Sequence, residues 1–222
     1  MKNSISIILP TYNESMNIKE TIMRLNKSVK NIKEIIVIDD NSPDGTAHIA
    51  KNLKKTKVIV RKGVRGVGSA IYKGIKIAKG NIIAWMDADL SMQPEVLAKM
   101  IDILKNYDVV VGSRYAKNGK DRRDFVRVVS SNIINLLARI ILNFKIKDND
   151  SGFVAARRVV FENIRFDPRG HGEYCIEFLY KCVKNGYNIN EFGYVFEERK
   201  KGASKSKENF FIFIKYGMQY FF

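Results

Sequence analysis

Short runs of Ile and Val alternate with amphipathic stretches through the first half of the chain. The apolar runs are nearly continuous in β-branched residues, as in strands that are buried on both faces of a sheet. The predicted strands cover residues 5–9, 35–39, 57–60, 81–86 and 108–111. The stretches between them repeat with helical spacing, and the predicted helices cover residues 16–27, 46–54, 66–78 and 94–106. This alternation predicts an α/β fold with a mostly parallel sheet and helices on both faces.

The second half of the chain follows a less regular pattern. We predict a long amphipathic helix over residues 125–144, a loop entering a strand over 148–156, a helix over 174–185 and a strand over 189–196. Residues 197–208 are polar and charged, which indicates a loop, whereas residues 209–222 are mostly aromatic and aliphatic. No repeat or low-complexity linker divides the chain. The pattern therefore predicts one domain over residues 1–208, followed by an amphipathic or membrane-proximal helix over 209–222.

Composition adds a constraint on the binding partner. The 222 residues are 45% hydrophobic, which is enough for one full-sized core. Lys and Arg number 39 against 23 Asp and Glu, so the formal net charge is +16. This charge favours an anionic partner: nucleic acid, a phosphorylated substrate or an acidic membrane surface. The two cysteines, Cys175 and Cys182, are interpreted as small apolar side chains in a reducing compartment.

Carboxylates follow the predicted strand over residues 81–86. Asp87 and Asp89 are separated by one residue, so both can approach one hard divalent cation. Mg²⁺ and Mn²⁺ need only one or two protein carboxylates when substrate phosphate oxygens complete the coordination. A solvated acidic turn would give the same pattern, and the spacing alone leaves both interpretations open.

Two further polar loops follow neighbouring strands. The segment PTYNE occupies residues 10–14, and Asp39 and Asp40 follow the second strand. Either aspartate could accept hydrogen bonds from a base or a ribose, and Asp44 could cap the next helix. Ligands of parallel α/β sheets bind beyond the carboxyl ends of the strands. The three loops together therefore predict a binding site at one edge of the sheet.

Gly66 and Gly68 lie at the start of a predicted helix but do not form a phosphate loop. No Gly-Lys-Ser/Thr follows them, and the G-x-G-x-x-G spacing is absent. We expect both glycines to permit close helix packing, with ligand contact as the alternative.

The ordered set of motifs resembles glycosyltransferase family two, and within it the dolichyl-phosphate mannosyltransferase group. The motifs are PTYNE at 10–14, IDDNSPDGT at 38–46, GVGSA at 66–70, MDADLSMQPE at 86–95, VVGSR at 110–114, DSGF at 150–153 and ERKKGASK at 198–205. They span nearly the whole chain. Two positions depart from the group: Ser91 stands where many relatives have Gln, and Asp150 stands where Thr usually precedes Ser-Gly.

The resemblance implies a GT-A fold, a Rossmann-like sheet that binds a nucleotide sugar, with Mg²⁺ or Mn²⁺ as cofactor. Asp87 and Asp89 would hold the metal, and Asp89 would be essential for catalysis. Asp39 would contact the base. The implied donor-binding residues are Pro10, Tyr12, Glu14, Asp39, Asp87, Arg199 and Lys205. The loop containing Arg199, Ser204 and Lys205 would close over the donor, and Gly202 would give it conformational freedom.

The same resemblance assigns the acceptor phosphate to arginines. Arg114 and Arg127 would bind it and act in catalysis, with Arg123 as a further ligand, because guanidinium groups bind phosphate oxygens in pairs. A solvated basic face is the alternative for part of this charge. A phosphate nucleophile is already largely ionised near neutral pH, so no strong base is required. We therefore assign His48 and His171 to surface or local structure. Glu177 matches a family acid near the acceptor.

The implied reaction is inverting transfer of a hexose, namely mannose from GDP-mannose, to dolichyl or another polyprenyl phosphate. UDP-glucose or another nucleotide sugar is the alternative donor, and a polysaccharide, protein or lipid is the alternative acceptor. A sugar nucleotidyltransferase would carry a Gly-rich, Arg-containing loop at residues 11–15, and none is present. A nucleic-acid-binding module would leave the acidic loops unexplained, so we expect no nucleic-acid partner.

We expect the protein at the cytoplasmic face of a membrane. It would be peripheral or anchored by a segment beyond residue 222. Residues 209–222 are too few to span a bilayer, since a spanning helix needs about 20 residues. They are expected to lie at the membrane interface, and packing on the domain core is the alternative.

Overall fold

A seven-stranded sheet forms the centre of the protein. The computed structural model describes residues 3–142, 145–169 and 172–199. Along the sheet, the strand order is β3-β2-β1-β4-β7-β5-β8. These strands are β1 (Ile5–Thr11), β2 (Ile32–Asp39), β3 (Thr56–Val60), β4 (Ile82–Trp85), β5 (Val109–Ser113), β7 (Val154–Arg157) and β8 (Ile189–Gly193). A separate parallel pair is formed by β6 (Lys120–Asp121) and β9 (Val195–Phe196).

The main sheet is mostly parallel, as the sequence predicted. Only β7 among its strands runs antiparallel, and it pairs with β4 on one side and β5 on the other. In the parallel part, Thr11 pairs with Asp39, and Ile8 pairs with Trp85. This register brings the carboxyl ends of β1, β2 and β4 to the same edge of the sheet. The three polar loops predicted from the sequence therefore leave the sheet side by side.

Helices cover both faces of the sheet, which also confirms the prediction. The helices are α1 (Ile18–Ser28), α2 (Thr46–Lys51), α3 (Val67–Ile77), α4 (Pro94–Ile103), α5 (Phe125–Leu142), α6 (Arg158–Asn163) and α7 (Glu173–Lys184). One core cluster contains buried side chains of α1, α2 and α4, and the other contains those of α3, α6 and α7. Fully buried Trp85 lies in the second cluster, with its ring edge-on to Phe166 and Phe178.

Both cysteines lie on α7 in this second core. Cys175 and Cys182 are buried and unbonded to each other. Burial raises the pKa of the Cys175 thiol to about 12, so it stays protonated near neutral pH. The prediction of two small apolar side chains is consistent with these positions.

The predicted strand over residues 189–196 is wrong in one respect, because it is two strands in two sheets. The chain leaves the main sheet at Gly193, whose backbone is crossed closely by the Lys117–Gly119 segment. A Cβ atom at Gly193 would lie 2.0 Å from the carbonyl oxygen of Lys117. After this crossing the chain pairs with β6 as β9. The sequence pattern does not reveal such a crossing, because it arises between segments far apart in the chain.

Helix α5 has an unusual distribution of buried and exposed side chains. Its buried side chains are Ser131, Asn135 and Ala138. Seven of its large apolar side chains are exposed, namely Phe125, Val126, Val129, Ile133, Leu136, Leu137 and Ile140, with Phe125 exposed to 82%. A helix on the surface of a soluble domain normally shows the opposite arrangement. Within residues 3–142, 145–169 and 172–199, no helix combines the length and hydropathy that a membrane span requires.

Candidate active site at the carboxyl edge of the sheet

The loops after β1 and β2 are joined by hydrogen bonds. The backbone N–H of Glu14 donates to Thr46 Oγ1 at 2.8 Å, and that of Ser15 donates to Asp44 Oδ2 at 2.9 Å. Asp44 also accepts the backbone N–H of Thr46 at 3.0 Å, at the start of α2, where the sequence predicted a cap. Burial opposes ionisation of Asp44, but these hydrogen bonds hold its pKa below the usual range. The two loops therefore form one fixed unit.

Asp39, predicted to contact the base, is fully buried at the end of β2. Its carboxylate accepts hydrogen bonds from Thr11 Oγ1 at 2.9 Å and from the backbone N–H and Oγ of Ser42 at 2.8 and 2.6 Å. These donors hold the carboxylate in one orientation. Base recognition by Asp39 stays a prediction, and the structure adds that the same group organises the loop around Ser42.

Asp40 has a different set of partners. Its Oδ1 accepts the Nε–H of Arg61 at 2.7 Å, and its Oδ2 accepts the backbone N–H of Gly66 at 2.9 Å. Arg61 in turn donates to the carbonyl oxygen of Gly66. Asp40 thus anchors the segment that enters α3. Sequence reasoning missed Arg61, although its place directly after β3, at the fourth strand end of this edge, was a usable signal.

The two glycines before and within α3 have different roles. A Cβ atom on Gly68 would lie 2.8 Å from the carbonyl oxygen of Pro168, so the close packing predicted there is present. The expectation of close packing is wrong for Gly66, where a Cβ atom would meet only Ser69 Oγ at 3.4 Å. Gly66 has a φ of 143°, which L side chains rarely adopt. The backbone conformation at position 66 therefore requires a glycine.

Tyr12 lies half-buried in the loop after β1, and Pro10 is half-buried two residues earlier, in β1, where it pairs with Ile38. The guanidinium of Arg65 lies over the Tyr12 ring, 4.0 Å from its centroid, and donates to the Tyr12 hydroxyl. Arg65 was not predicted as a site residue. This stacked pair presents an aromatic ring and a positive charge at the edge of the sheet where a nucleotide would bind.

Asp87 and Asp89 follow β4 and are half-buried. Ser91 is buried and donates to Asp89 Oδ1 through its backbone N–H at 3.0 Å and its Oγ–H at 2.5 Å. Ser91 therefore orients the carboxylate of Asp89. The other oxygen, Asp89 Oδ2, faces Arg199.

Arg199 lies between Asp89 and Glu14. Its Nε and Nη2 donate to Asp89 Oδ2 at 3.1 and 3.0 Å, and Nη2 donates to Glu14 Oε1 at 2.6 Å. Glu14 is buried, and its Oε2 accepts the side-chain N–H of Asn17 at 3.0 Å. Burial opposes the charge of Arg199, but the two carboxylates raise its pKa above the usual range. The structure thus brings two predicted carboxylates, Glu14 and Asp89, together on Arg199.

This arrangement fits a hard divalent cation supported by substrate oxygens. Asp87 and Asp89 offer carboxylate oxygens on one short segment, and Arg199 now donates to Asp89 Oδ2. In the described part of the chain, no group of three or more His, Cys, Asp or Glu side chains could enclose a metal. Mg²⁺ characteristically binds through one or two carboxylates and substrate phosphates, so a closed cage is not required. Gly202, Ser204 and Lys205 lie outside the described residues.

Arg114, predicted to bind the acceptor phosphate, is buried among carboxylates. Its backbone N–H and Nε donate to Asp148 Oδ2 at 2.7 and 2.8 Å, and Nη2 donates to Asp148 Oδ1 at 2.5 Å. Nη2 also donates to Asp150 Oδ1. Burial raises the pKa of Asp148 to about 6, against the opposing effect of Arg114. Acceptor binding by Arg114 stays a prediction, but this guanidinium already has anionic partners.

The other two predicted acceptor arginines lie near the start of α5. Arg123 donates to both oxygens of Asp121, at 3.0 and 2.6 Å, and lies 5.2 Å from the centroid of the Phe196 ring. Asp121 also lies 3.8 Å from Arg114 Nη1, so it connects the two arginines. Arg127 pairs with Asp124 at 3.1 Å. Arg114 and Arg123 thus share one cluster, which we call the arginine cluster and which includes Asp121, Asp148 and Asp150.

Three remaining predictions concern single residues. Glu177 lies on α7 and pairs with Lys181 at 2.6 Å, and a role near the acceptor stays a prediction. His48 is exposed on α2, in agreement with its assignment to the surface. His171 lies outside the described residues.

Comparison with known proteins identifies the family. Residues 6–165 match the model of Glycosyl transferase family 2, so the chain belongs to this family. It is 38% identical over 212 residues to a dolichol-phosphate mannosyltransferase of Pyrococcus furiosus, covering 91% of this chain and 59% of that protein. It is 33% identical over 211 residues to a polyprenol monophosphomannose synthase of Mycolicibacterium smegmatis, covering 90% and 79%. The chain thus spans less than two thirds of the archaeal relative's length.

Solved structures confirm the GT-A fold. Glucosyl-3-phosphoglycerate synthase from Mycobacterium tuberculosis, in complex with Mn²⁺, UDP and phosphoglyceric acid, superposes with a TM-score of 0.75 at 20% identity, covering 98% of this chain and 78% of that one. The same enzyme with Mg²⁺ and UDP gives a TM-score of 0.73 at 20% identity, covering 94% and 75%.

Proposed function

We propose that this protein transfers mannose from GDP-mannose to dolichyl phosphate or another polyprenyl phosphate, with inversion at the anomeric carbon. The observation that carries the proposal is the match, over at least 90% of the chain, to two relatives named for mannosyl transfer to a dolichol phosphate and for polyprenol monophosphomannose synthesis. The site at the carboxyl edge of the sheet contains the groups that such a reaction needs.

The donor half of the site would bind the nucleotide sugar. Tyr12, stacked with Arg65, and the loop ordered by Asp39 would hold the nucleoside. Asp87 and Asp89 would hold Mg²⁺ or Mn²⁺, which when bound supplies positive charge to the departing diphosphate. Ser91 keeps Asp89 in a fixed orientation, which reduces the reorganisation needed on binding. Arg199 is close enough to Asp89 to approach the same diphosphate.

The acceptor half needs no strong general base. A phosphate monoester is largely ionised near neutral pH, so its oxygen can attack the anomeric carbon directly. Arg123 and Arg127 would help to orient this anion, because their side chains are 19% and 18% exposed, whereas that of Arg114 is 3% exposed. The exposed position of His48 is compatible with this mechanism, because the reaction assigns no role to histidine.

A membrane surface is the proposed location of the acceptor. Helix α5 presents its apolar side to solvent and its small and polar side to the protein, which suits contact with a lipid interface. The net charge of +16 would attract an anionic leaflet. We propose peripheral attachment at the cytoplasmic face, with α5 in the headgroup region. Interfacial contact by residues 209–222 stays a prediction that lies outside the described residues.

The test is a donor screen with an extractable product. The full chain is incubated with labelled GDP-mannose, UDP-glucose or UDP-N-acetylglucosamine, with and without dolichyl phosphate, and with Mn²⁺ or chelator. We expect label in the organic phase only with GDP-mannose, dolichyl phosphate and metal. Asp89→Asn should abolish this signal, whereas Asp102→Asn, on the distant end of α4, should leave it unchanged. Label from UDP-glucose would establish the alternative donor, and full turnover in chelator would contradict the metal assignment.

A further inference from the structure

Asp150 is the outermost carboxylate of the arginine cluster. Asp148 lies fully buried against the inner side of Arg114, whereas the Asp150 side chain is 15% exposed. Both accept hydrogen bonds from Nη2 of Arg114. Asp150 is therefore the more exposed of these two anionic partners of the guanidinium. It stands, moreover, at a position where the group that this chain resembles usually has Thr.

The charges of the cluster do not favour an incoming anion. Asp121, Asp148 and Asp150 contribute three negative charges, while Arg114 and Arg123 contribute two positive ones. Burial opposes ionisation of Asp150, but Arg114 and the hydrogen bond from Asn135 hold its pKa below the usual range. The ionised cluster thus carries a net negative charge. Without the Asp150 carboxylate, the same groups would be neutral.

Helix α5 holds Asp150 in this place. Ser131 Oγ donates to Asp150 Oδ2 at 3.1 Å, and Asn135 Nδ2 donates to Asp150 Oδ1 at 3.1 Å. Both donors lie on the buried side of the helix whose opposite side is apolar and exposed. The carboxylate is therefore fixed between Arg114 and the element that we place at the membrane surface, where a polyprenyl phosphate would present its headgroup.

We propose that Asp150 lowers the affinity for a phosphate-monoester acceptor by occupying Arg114 Nη2 as an internal anion, in the place that a phosphate oxygen of the acceptor would take. The inference rests on the proposed function, because it assumes a phosphate-bearing acceptor. A phosphate monoester carries close to two negative charges, whereas its glycosylated product is a diester with one. The Asp150 carboxylate repels the substrate more strongly than the product. It thereby weakens substrate binding and reduces the preference for substrate over product.

The test compares Asp150→Asn and Asp150→Thr with the wild type. Asn keeps the shape of the side chain and an oxygen that can accept from Arg114 and Asn135, and its NH2 group can donate to Ser131 Oγ, but it lacks the charge. Calorimetry measures the dissociation constants of a short-chain polyprenyl phosphate, of its methyl ester and of GDP. Asp102→Asn is the control for net charge, because it removes an exposed carboxylate on the far end of α4. Thermal unfolding of each variant reports any structural role.

We expect Asp150→Asn to bind the monoester about tenfold more tightly, the effect of one charge-assisted contact. Its gain for the methyl ester should be roughly threefold or less, since that ligand carries one charge. The KM for polyprenyl phosphate should fall, with GDP affinity unchanged. Asp150→Thr should change the same affinities in the same direction, and it provides the test if the Asn variant does not fold. Asp102→Asn should change neither dissociation constant.

An unchanged ratio of monoester to diester affinity would overturn the proposal. If the melting temperature fell at the same time, Asp150 would have a structural role only. Weaker monoester binding in both variants would also overturn it. The outcome is separable from the proposed function. If the wild type binds the monoester but never glycosylates it, the proposed function fails. A changed ratio of monoester to methyl-ester affinity in Asp150→Asn would still support the occupation of Arg114 by the Asp150 carboxylate.

Discussion

Arg199 is expected to compete with the divalent cation for Asp89. In the structure its guanidinium lies 3.0 Å from Asp89 Oδ2 and 2.6 Å from Glu14 Oε1, and the Arg199 side chain is only 13% exposed. A metal that binds Asp89 has to displace this contact. Replacing the arginine by glutamine removes the competing charge and keeps most of the side-chain length. Arg199→Gln should therefore bind Mn²⁺ more tightly than the wild type when no nucleotide is present.

The size of this effect follows from the contacts. A hydrogen bond to a charged group contributes roughly 1.5–3 kcal/mol, and partial exposure favours the lower end of that range. A contribution of about 1.5 kcal/mol corresponds to roughly tenfold in the Mn²⁺ dissociation constant. With a nucleotide bound the sign should reverse, because the glutamine variant lacks the contact that we propose between Arg199 and the diphosphate.

Electron paramagnetic resonance of free Mn²⁺ measures this dissociation constant directly. Arg24→Gln is a matched control, because Arg24 forms a comparable two-oxygen ion pair with Glu95, at 3.0 and 2.6 Å, outside the site. Its Mn²⁺ affinity should equal that of the wild type. An unchanged affinity in Arg199→Gln would refute the competition, and a weakened one would mean that Arg199 supports the metal site in the absence of nucleotide.

Three further predictions concern the nucleoside loop, the packing of α3 and the membrane face. Asp39→Ala should raise the GDP dissociation constant, measured by calorimetry, and lower the free energy of unfolding by about 1–3 kcal/mol, measured by urea unfolding, because the donors on Ser42 lose their acceptor. An unchanged GDP affinity would mean that another residue recognises the base. Gly68→Ala should destabilise the fold by about 1–3 kcal/mol through the clash with Pro168, and an unchanged denaturation midpoint would contradict the close packing. The double variant Ile133→Ser/Ile140→Ser should sediment less with anionic liposomes at an unchanged melting temperature, and undiminished sedimentation would exclude α5 as the membrane contact.

Local patterns were sufficient to predict the sheet and its binding edge. The runs of Ile and Val that became β1, β2 and β4 are buried on both faces, so their composition is dictated by burial alone. Parallel strands then place Glu14, Asp39 and Asp87 at one edge without further information. These residues could be predicted because their position depends only on where each strand ends.

Contacts between distant segments could not be predicted in this way. The pairing of Arg114 with Asp148 and Asp150 depends on how the loop before β7 folds against β5, and no local periodicity encodes it. The position of Arg199 on Asp89 likewise joins residues 110 positions apart. Asp150 was visible in the sequence only as a departure from the family pattern. Its partners, and therefore its chemical meaning, came from the tertiary structure.

The central claim is that the acceptor is a phosphate carried by a polyprenyl chain. The most direct measurement compares dolichyl phosphate with free dolichol as acceptors of labelled mannose from GDP-mannose, with Mn²⁺ present and the initial rate of organic-phase label as readout. We expect transfer to the phosphate and none to the alcohol, because only the phosphate supplies an ionised nucleophile without a general base. Equal transfer to free dolichol, or transfer only to water or a simple sugar, would contradict the claim.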